Sequence, residues 1–354
     1  MNSTVAAILD WYARQARALP WREDPPDPYH VWLSEVMLQQ TRIEAVREAY
    51  ARILAACPRV EDLAALSEES LLKLWEGLGY YSRARNLHRA AKQIAEAGGF
   101  PSSWEGWRAL PGVGDYTAGA IASIVLGEAR PAVDGNVLRV LSRLFAREVS
   151  RPEATALFAS WMEAGSCGVF TQSWMELGEV VCIPHGRPHC QECPLSAECR
   201  AHLQGREQEF PAPAKRPERP VEKWTVLRVE DLFGRMALRR RGEGGLLARM
   251  WEPLTAPGWL IAARAKALVV EWGVEASEVV LRRLPDSRHL FTHRQWEMRN
   301  YLVRLNVDSG ALASVPPEIH WATPEELRER YAVPSAFRGA LAQEAPARIK
   351  GAKS

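Results

Sequence analysis

Four of the six cysteines in this 354-residue chain fall between Cys182 and Cys199, and no other feature restricts the fold as much. The gaps are seven, two and five residues, by way of Cys190 and Cys193. Thiols at this density either staple a disulfide scaffold or bind metal. The N-terminus lacks the basic-then-apolar pattern of an export signal, so metal is favoured over disulfides and a cytoplasmic protein is expected. A structural zinc site more often uses two short Cys-x-x-Cys pairs set well apart. Four thiolates within 18 residues suit a [4Fe–4S] cluster better. Cys57 and Cys167 stand alone and read as buried, inert thiols.

The remainder of the chain has two textures. Residues 1–204 carry helical periodicity almost throughout and no strand-like alternation. Val5, Ile8, Leu9 and Tyr12 open it at helical spacing. One long pattern, with Val36, Ile43, Val46, Tyr50, Ile53 and Leu54 on one face, runs to Pro58. Shorter helices are expected at Leu63–Leu74, Ala84–Ala95 and Thr117–Leu126. Across 205–223 the composition turns to Pro and charge, with Pro211, Pro213, Pro217 and Pro220 close together, which reads as a semi-rigid linker. From 224 to 348 a small α+β domain is predicted, with strands at Thr225–Leu232, Arg235–Arg239, Glu278–Leu284 and Gln295–Leu305. Helical stretches lie at Ala262–Trp272 and Pro324–Tyr331, and 349–354 form a tail. Hydrophobic residues make up 47% and charged ones 25%, a globular balance. The longest apolar run, Ala118–Leu126, is half of what a membrane span needs. Net charge is +2, with an acidic balance before residue 204 and a basic one after it. A nucleic-acid grip in the first part would have to come from local basic patches and backbone amides.

Three strings carry chemistry. Leu110-Pro111-Gly112-Val113-Gly114-Asp115-Tyr116-Thr117-Ala118-Gly119 is a Gly-x-Gly turn running straight into a helix, where glycines permit close backbone approach and free amides suit phosphate. Asp134, in Val133-Asp134-Gly135-Asn136-Val137, sits at a helix start. It can serve as an N-cap and still present a carboxylate to a substrate. Glu35 is a lone carboxyl in Val31-Trp32-Leu33-Ser34-Glu35-Val36-Met37-Leu38-Gln39-Gln40-Thr41; an apolar setting keeps such a group protonated, as a general acid requires.

The hairpin string resembles the helix-hairpin-helix of the DNA glycosylase superfamily that includes endonuclease III. The Glu35 string and Leu78-Gly79-Tyr80-Tyr81-Ser82-Arg83-Ala84-Arg85 resemble the MutY-type adenine DNA glycosylases. The resemblance implies a multidomain chain: an all-α helix-hairpin-helix domain with an iron–sulfur loop, followed by a Nudix-like α+β domain. It implies an enzyme that hydrolyses the N-glycosidic bond of adenine mispaired with 8-oxoguanine or guanine in duplex DNA. Glu35 would protonate the departing adenine, and Asp134 would stabilise or transiently bond the oxocarbenium-like sugar. Bifunctional relatives carry a Schiff-base lysine two residues after the second hairpin glycine. Here that position is Tyr116, so a monofunctional enzyme is implied, with Tyr116 assisting.

By the same resemblance Trp21, Arg22, Leu38 and Gln172 line the adenine pocket, while Gln40 and Tyr80 wedge the opened stack. Gly112, Gly114, Arg83 and Arg187 would meet the DNA backbone. Cys182, Cys190, Cys193 and Cys199 would hold the cluster, although the family has six residues in the first gap where this chain has seven. Gly245-Leu246-Leu247 and Trp251-Glu252-Pro253 resemble the MutY C-terminal domain, without the acidic box of a pyrophosphatase. Phe291-Thr292-His293 matches the Phe-Ser-His loop that inspects oxidised guanine. A monomer bound to duplex DNA is expected, with no membrane association. The competing readings are an endonuclease III-like glycosylase/lyase and a non-catalytic, metal-containing DNA-binding protein.

Overall fold

A computed structural model of the chain describes residues 3–163, 165–212 and 218–342. The centre of the expected linker, 213–217, and the expected tail, 349–354, lie outside the described residues. The chain forms two compact units, one from residues 1–66 and 82–216, the other from 67–81 together with 217–354.

Among the described residues the first unit is helical throughout. Its opening helix, Ser3–Gln15, buries Val5, Ile8, Trp11 and Tyr12 on one face. Helix Pro28–Leu38 starts where Asp27 accepts the amides of Tyr29 at 2.7 Å and His30 at 3.1 Å, with Pro28 pre-set for the first turn. The single long helix read through Val36 and Leu54 is in fact two, Pro28–Leu38 and Ile43–Ala56. Between them Gln40 takes the left-handed conformation at φ 59°. No Gly or Pro marks this break, and both helices bury their apolar faces, so periodicity continues across it. Leu63–Leu74 likewise divides into Val60–Ala65 and Glu68–Leu74, the second N-capped by Ser67. Helix Asp115–Val125 runs through the core, burying every residue from Thr117 to Ser123.

The second unit is built on one eight-stranded sheet: β1 (Val221–Glu230), β2 (Met236–Arg240), β3 (Trp251–Glu252), β4 (Leu254–Pro257), β5 (Val279–Arg283), β6 (Ser287–Leu290), β7 (Gln295–Leu305) and β8 (Ile319–Ala322). The central path is β3-β2-β1-β7-β5. β1 and β7 run parallel, pairing Val221 with Gln295 through Glu230 with Arg304, and every other pairing is antiparallel. Alternation along these two strands fills both faces. Val226, Trp296 and Met298 pack with Tyr331 and Phe337 on one side. Leu227, Val229, Val303 and Leu305 pack with Ala265 and Val269 of helix Ala262–Val270 on the other. The four longer or central strands were expected; β3, β4, β6 and β8, of two to four residues, are too short to show a period.

Residues 67–81 join this second unit although they precede the linker by more than a hundred positions. Glu69 accepts from Trp251 Nε1 at 3.1 Å and Arg330 Nε at 3.2 Å. Lys73 Nζ donates to the Leu327 carbonyl at 3.0 Å, and Glu76 accepts the Val333 amide at 3.1 Å. Among the described residues no helix is long and apolar enough to cross a membrane.

Candidate active site

Helices Pro28–Leu38, Asp115–Val125, Gly135–Phe145 and Cys167–Val180 converge on a cavity of about 620 Å3 in the first unit. Glu35, Asp134 and Tyr116 all border it. So do Trp21, Arg22, Leu38, Gln172 and Gln40, residues spread over more than 150 positions of sequence. Among the described residues no lysine lines it.

Glu35 is only 8% exposed. Burial pushes its carboxyl up to about 7, the charge of Asp134 adds to the rise, and Arg22 opposes it. Asp134 caps helix Gly135–Phe145: its Oδ1 accepts the Val137 amide at 2.8 Å and its Oδ2 accepts Asn136 Nδ2 at 2.9 Å. Burial raises this carboxyl too, and those hydrogen bonds restrain the rise. The Tyr116 phenol is held well above its ordinary range by burial and by the two carboxylates. The site therefore pairs a carboxylic acid that keeps its proton near neutrality with a second carboxylate tied to a helix start.

Several residues at this site had no motif to announce them. Asn136 accepts from Arg139 at 2.7 Å, and Arg139 Nε donates to the Cys182 carbonyl at 2.8 Å, a hydrogen-bonded path from Asp134 to the cysteine loop. Tyr12, Arg17 and Glu176 stand behind Arg22 and Gln172. Glu176 carried the same clue as Glu35, one carboxyl in the apolar surroundings of Trp174 and Leu177.

Outside the cavity the expected residues divide. Gly112 has φ 79°, and a Cβ there would sit 2.7 Å from Asn86 Cβ. Gly114 is extended at φ −92° and a Cβ would meet nothing within 4 Å. Arg83 is corrected: it is buried, and its guanidinium donates to the carbonyls of Val36, Met37 and Gln39 and to Thr41 Oγ1. It closes the C-terminal end of helix Pro28–Leu38 and is not presented to phosphate. Arg187 is exposed. In the second unit Tyr80 is exposed at φ 47°, with its hydroxyl 3.0 Å from Thr292 Oγ1. Phe291 turns inward, edge-on to Trp296 at 4.8 Å, leaving Thr292 and His293 exposed at the loop tip.

Cys182, Cys190, Cys193 and Cys199 line one small apolar cavity with Val140, Leu144 and Leu195. Burial pushes the Cys190 thiol to about 11 and the Cys193 thiol to about 12, so thiolates there call for an electropositive partner. Arg143 Nη1 lies 3.3 Å from Cys182 Sγ. Cys190 also groups with His202 and Glu207, their ligand atoms all within 4.8 Å of one another. The longer first gap is absorbed in exposed chain: Gly186 turns at φ 78°, and the His189 amide returns to the Val181 carbonyl at 2.9 Å. Cys57 and Cys167 are buried free thiols, each pushed upward by burial.

Comparison with known proteins gives this architecture a family. Residues 33–163 match the HhH-GPD superfamily of base excision DNA repair proteins, and 224–343 match the NUDIX domain. The adenine DNA glycosylase of Mus musculus is 33% identical across 90% of this chain and 74% of its own length. That of Homo sapiens is 33% identical across 91% and 70%. Among solved structures, a thermostable thymine-DNA glycosylase superposes with a TM-score of 0.52 at 25% identity, covering 56% of this chain and 95% of that one. With identity to named adenine DNA glycosylases extending through both units, the chain belongs to the adenine DNA glycosylase family, hydrolases of the N-glycosidic bond.

Proposed function

We propose that this enzyme removes adenine paired with 8-oxoguanine or guanine from duplex DNA, leaving an abasic site and an uncut strand. The observation that carries the reading is the single cavity in which buried, proton-retaining Glu35 meets helix-capping Asp134. The bond to be broken is inaccessible inside a stacked duplex, so the adenine is turned out into this cavity. Glu35 protonates a ring nitrogen of the base, making it a competent leaving group. Asp134 answers the positive charge that develops on the sugar, by its field or by a transient bond, as paired carboxylates do in glycoside hydrolysis. Tyr116, which lines the cavity with both carboxyls, assists. Trp21 and Leu38 wall the base, and Arg22 and Gln172 offer it hydrogen bonds. A Schiff base needs an amine, and the absence of lysine from the lining supports hydrolysis without strand cleavage.

Partner-base choice falls to the Phe291-Thr292-His293 loop, with Phe291 as its anchor and Thr292 and His293 facing the oxidised guanine. Gln40 and Tyr80, both exposed and in left-handed conformations, wedge the stack. Gly114 supports a backbone contact at the hairpin: neither φ nor packing demands glycine there, whereas an approaching phosphate does. Arg187 is the cysteine-loop contact to phosphate.

Cys182, Cys190, Cys193 and Cys199 would hold a [4Fe–4S] cluster. A single tetrahedral zinc ion with bonds of about 2.3 Å would draw sulfurs to within roughly 4 Å of one another, and among the described residues no three of these thiols form such a group. The cluster would supply a covalent cross-link that fixes the shape of this loop. The glycosidic step needs no electron from it.

Single-turnover adenine release from duplexes carrying adenine opposite 8-oxoguanine, guanine or thymine, with and without alkali, tests the reading. Release should be fastest opposite 8-oxoguanine, strand breaks should need alkali, and Glu35→Gln should release nothing. Breaks without alkali would establish a lyase, and no release by folded protein would leave a DNA-binding protein. Iron, sulfide and zinc measured per chain decide the metal.

A further inference from the structure

Glu176 has no part in the reaction described above, yet it is 1% exposed in the wall of the same cavity. Burying a carboxylate costs several kcal/mol unless it is paired and hydrogen-bonded. Here Oε1 accepts from the Arg17 amide at 3.1 Å and Arg17 Nε at 2.6 Å. Oε2 accepts from Arg17 Nη2 at 2.9 Å and Arg22 Nη2 at 2.8 Å. Burial alone would raise this carboxyl; the hydrogen bonds from Arg17 and then Arg22 outweigh it and keep the group ionised. Arg22 Nη1 donates to the Arg17 carbonyl at 3.1 Å. The Arg22 guanidinium also lies 5.4 Å from the centre of the Tyr12 ring, and the Tyr12 hydroxyl donates to Gln172 Oε1 at 3.3 Å.

Two consequences follow from these contacts. Without an anion between them, Arg17 and Arg22 would repel each other, and the guanidinium of Arg22 would leave its place beside the cavity. With its oxygen taken by Tyr12, Gln172 has its amide nitrogen left for the cavity, so the wall presents donors to the acceptor nitrogens of a purine ring.

We propose that Glu176 is a positioning residue for base recognition, holding Arg22 directly, and Gln172 by way of Tyr12, as a fixed donor edge for the adenine ring. The proposal rests on the reading that this cavity receives adenine. Misplacing such groups by about 1 Å costs roughly 100-fold in rate.

The test uses the full-length, metal-loaded enzyme and a duplex with adenine opposite 8-oxoguanine. Glu176→Gln keeps the shape and removes the charge. It should slow single-turnover release at saturating enzyme by about 10- to 100-fold, while the Kd for the duplex changes less than about twofold. Arg22→Met should do the same, and the double variant should be no slower than the slower single, because both remove one device. Glu176→Asp restores the charge on a shorter arm and should be faster than Glu176→Gln but slower than the wild type. An unchanged rate in folded Glu176→Gln, or losses that multiply in the double variant, would overturn the proposal. If Glu176→Gln does not fold, Tyr12→Phe keeps the ring under Arg22 and deletes only the bond to Gln172. A loss of about fivefold is expected from one hydrogen bond, and no loss would overturn it. Failure of the wild-type enzyme to release adenine would instead remove the functional reading on which this rests.

Discussion

At the scale of the single residue, the decisive quantity is the free energy of charging Glu35. Its carboxyl moves from an ordinary 4.5 to about 7 because burial in a cavity wall shared with Val31, Leu38 and Tyr116 strips it of water and because Asp134 stands nearby. Two outcomes follow, and both fall as pH rises. Adenine release should fall as pH rises through about 7, because the acid form is lost; the acidic limb belongs to Asp134, itself raised by burial. Stability should fall over the same range, since the folded state holds this proton more tightly than the unfolded chain. That contribution is fully present below pH 4.5 and lost as pH passes about 7. Glu35→Gln cannot ionise. It should therefore match the wild type in urea denaturation near pH 4 and exceed it by about 3 kcal/mol near pH 8. A variant inactive at every pH yet more stable in alkali separates catalysis from folding at one atom.

At the scale of the element, the two hairpin glycines are not equivalent. Gly112 is needed by the protein itself, since its φ of 79° and the 2.7 Å approach to Asn86 leave no room for a side chain. Gly112→Ala should lower stability by about 1–3 kcal/mol. Gly114 has ordinary backbone angles and open space. Gly114→Ala should melt like the wild type and bind duplex DNA roughly tenfold more weakly, the worth of one lost phosphate contact. Melting curves and Kd values for the pair check both; equal affinity in Gly114→Ala would remove the hairpin from the DNA interface. The break at Gln40 obeys similar logic, with Arg83 closing the carbonyl end of helix Pro28–Leu38.

At the scale of the whole molecule, the chain is divided by packing and not by the Pro-rich stretch alone. Helix Glu68–Leu74 gives its polar side chains to the sheet unit, through Glu69 to Trp251 and Arg330 and through Lys73 to the Leu327 carbonyl. Native-state hydrogen exchange should therefore show its amides opening with those of β1 and β7. Glu69→Ala should raise exchange in 67–81 and around Trp251 while leaving helix Asp115–Val125 unchanged. Opening together with that core helix would assign the segment to the first unit.

The sequence by itself determined a helical first part, a Pro-rich boundary, a strand-bearing second part, the cysteine cluster, the Gly-x-Gly turn, and Glu35 and Asp134 as the carboxylates to watch. Most are written in neighbouring residues, as a period, a spacing or, for Glu35, one carboxyl among apolar side chains; Asp134 reads locally only as a helix start, and its catalytic role came from the family resemblance. Only the tertiary structure decided that residues as distant as Trp21 and Gln172 line one cavity, and that Arg83 is a buried helix closure. It alone set Glu176 between two arginines and gave residues 67–81 to the second unit. The reason is the range of the forces. Helix and turn preferences act over a few residues, whereas the partner of a buried charge is selected by packing among side chains that the sequence lists far apart.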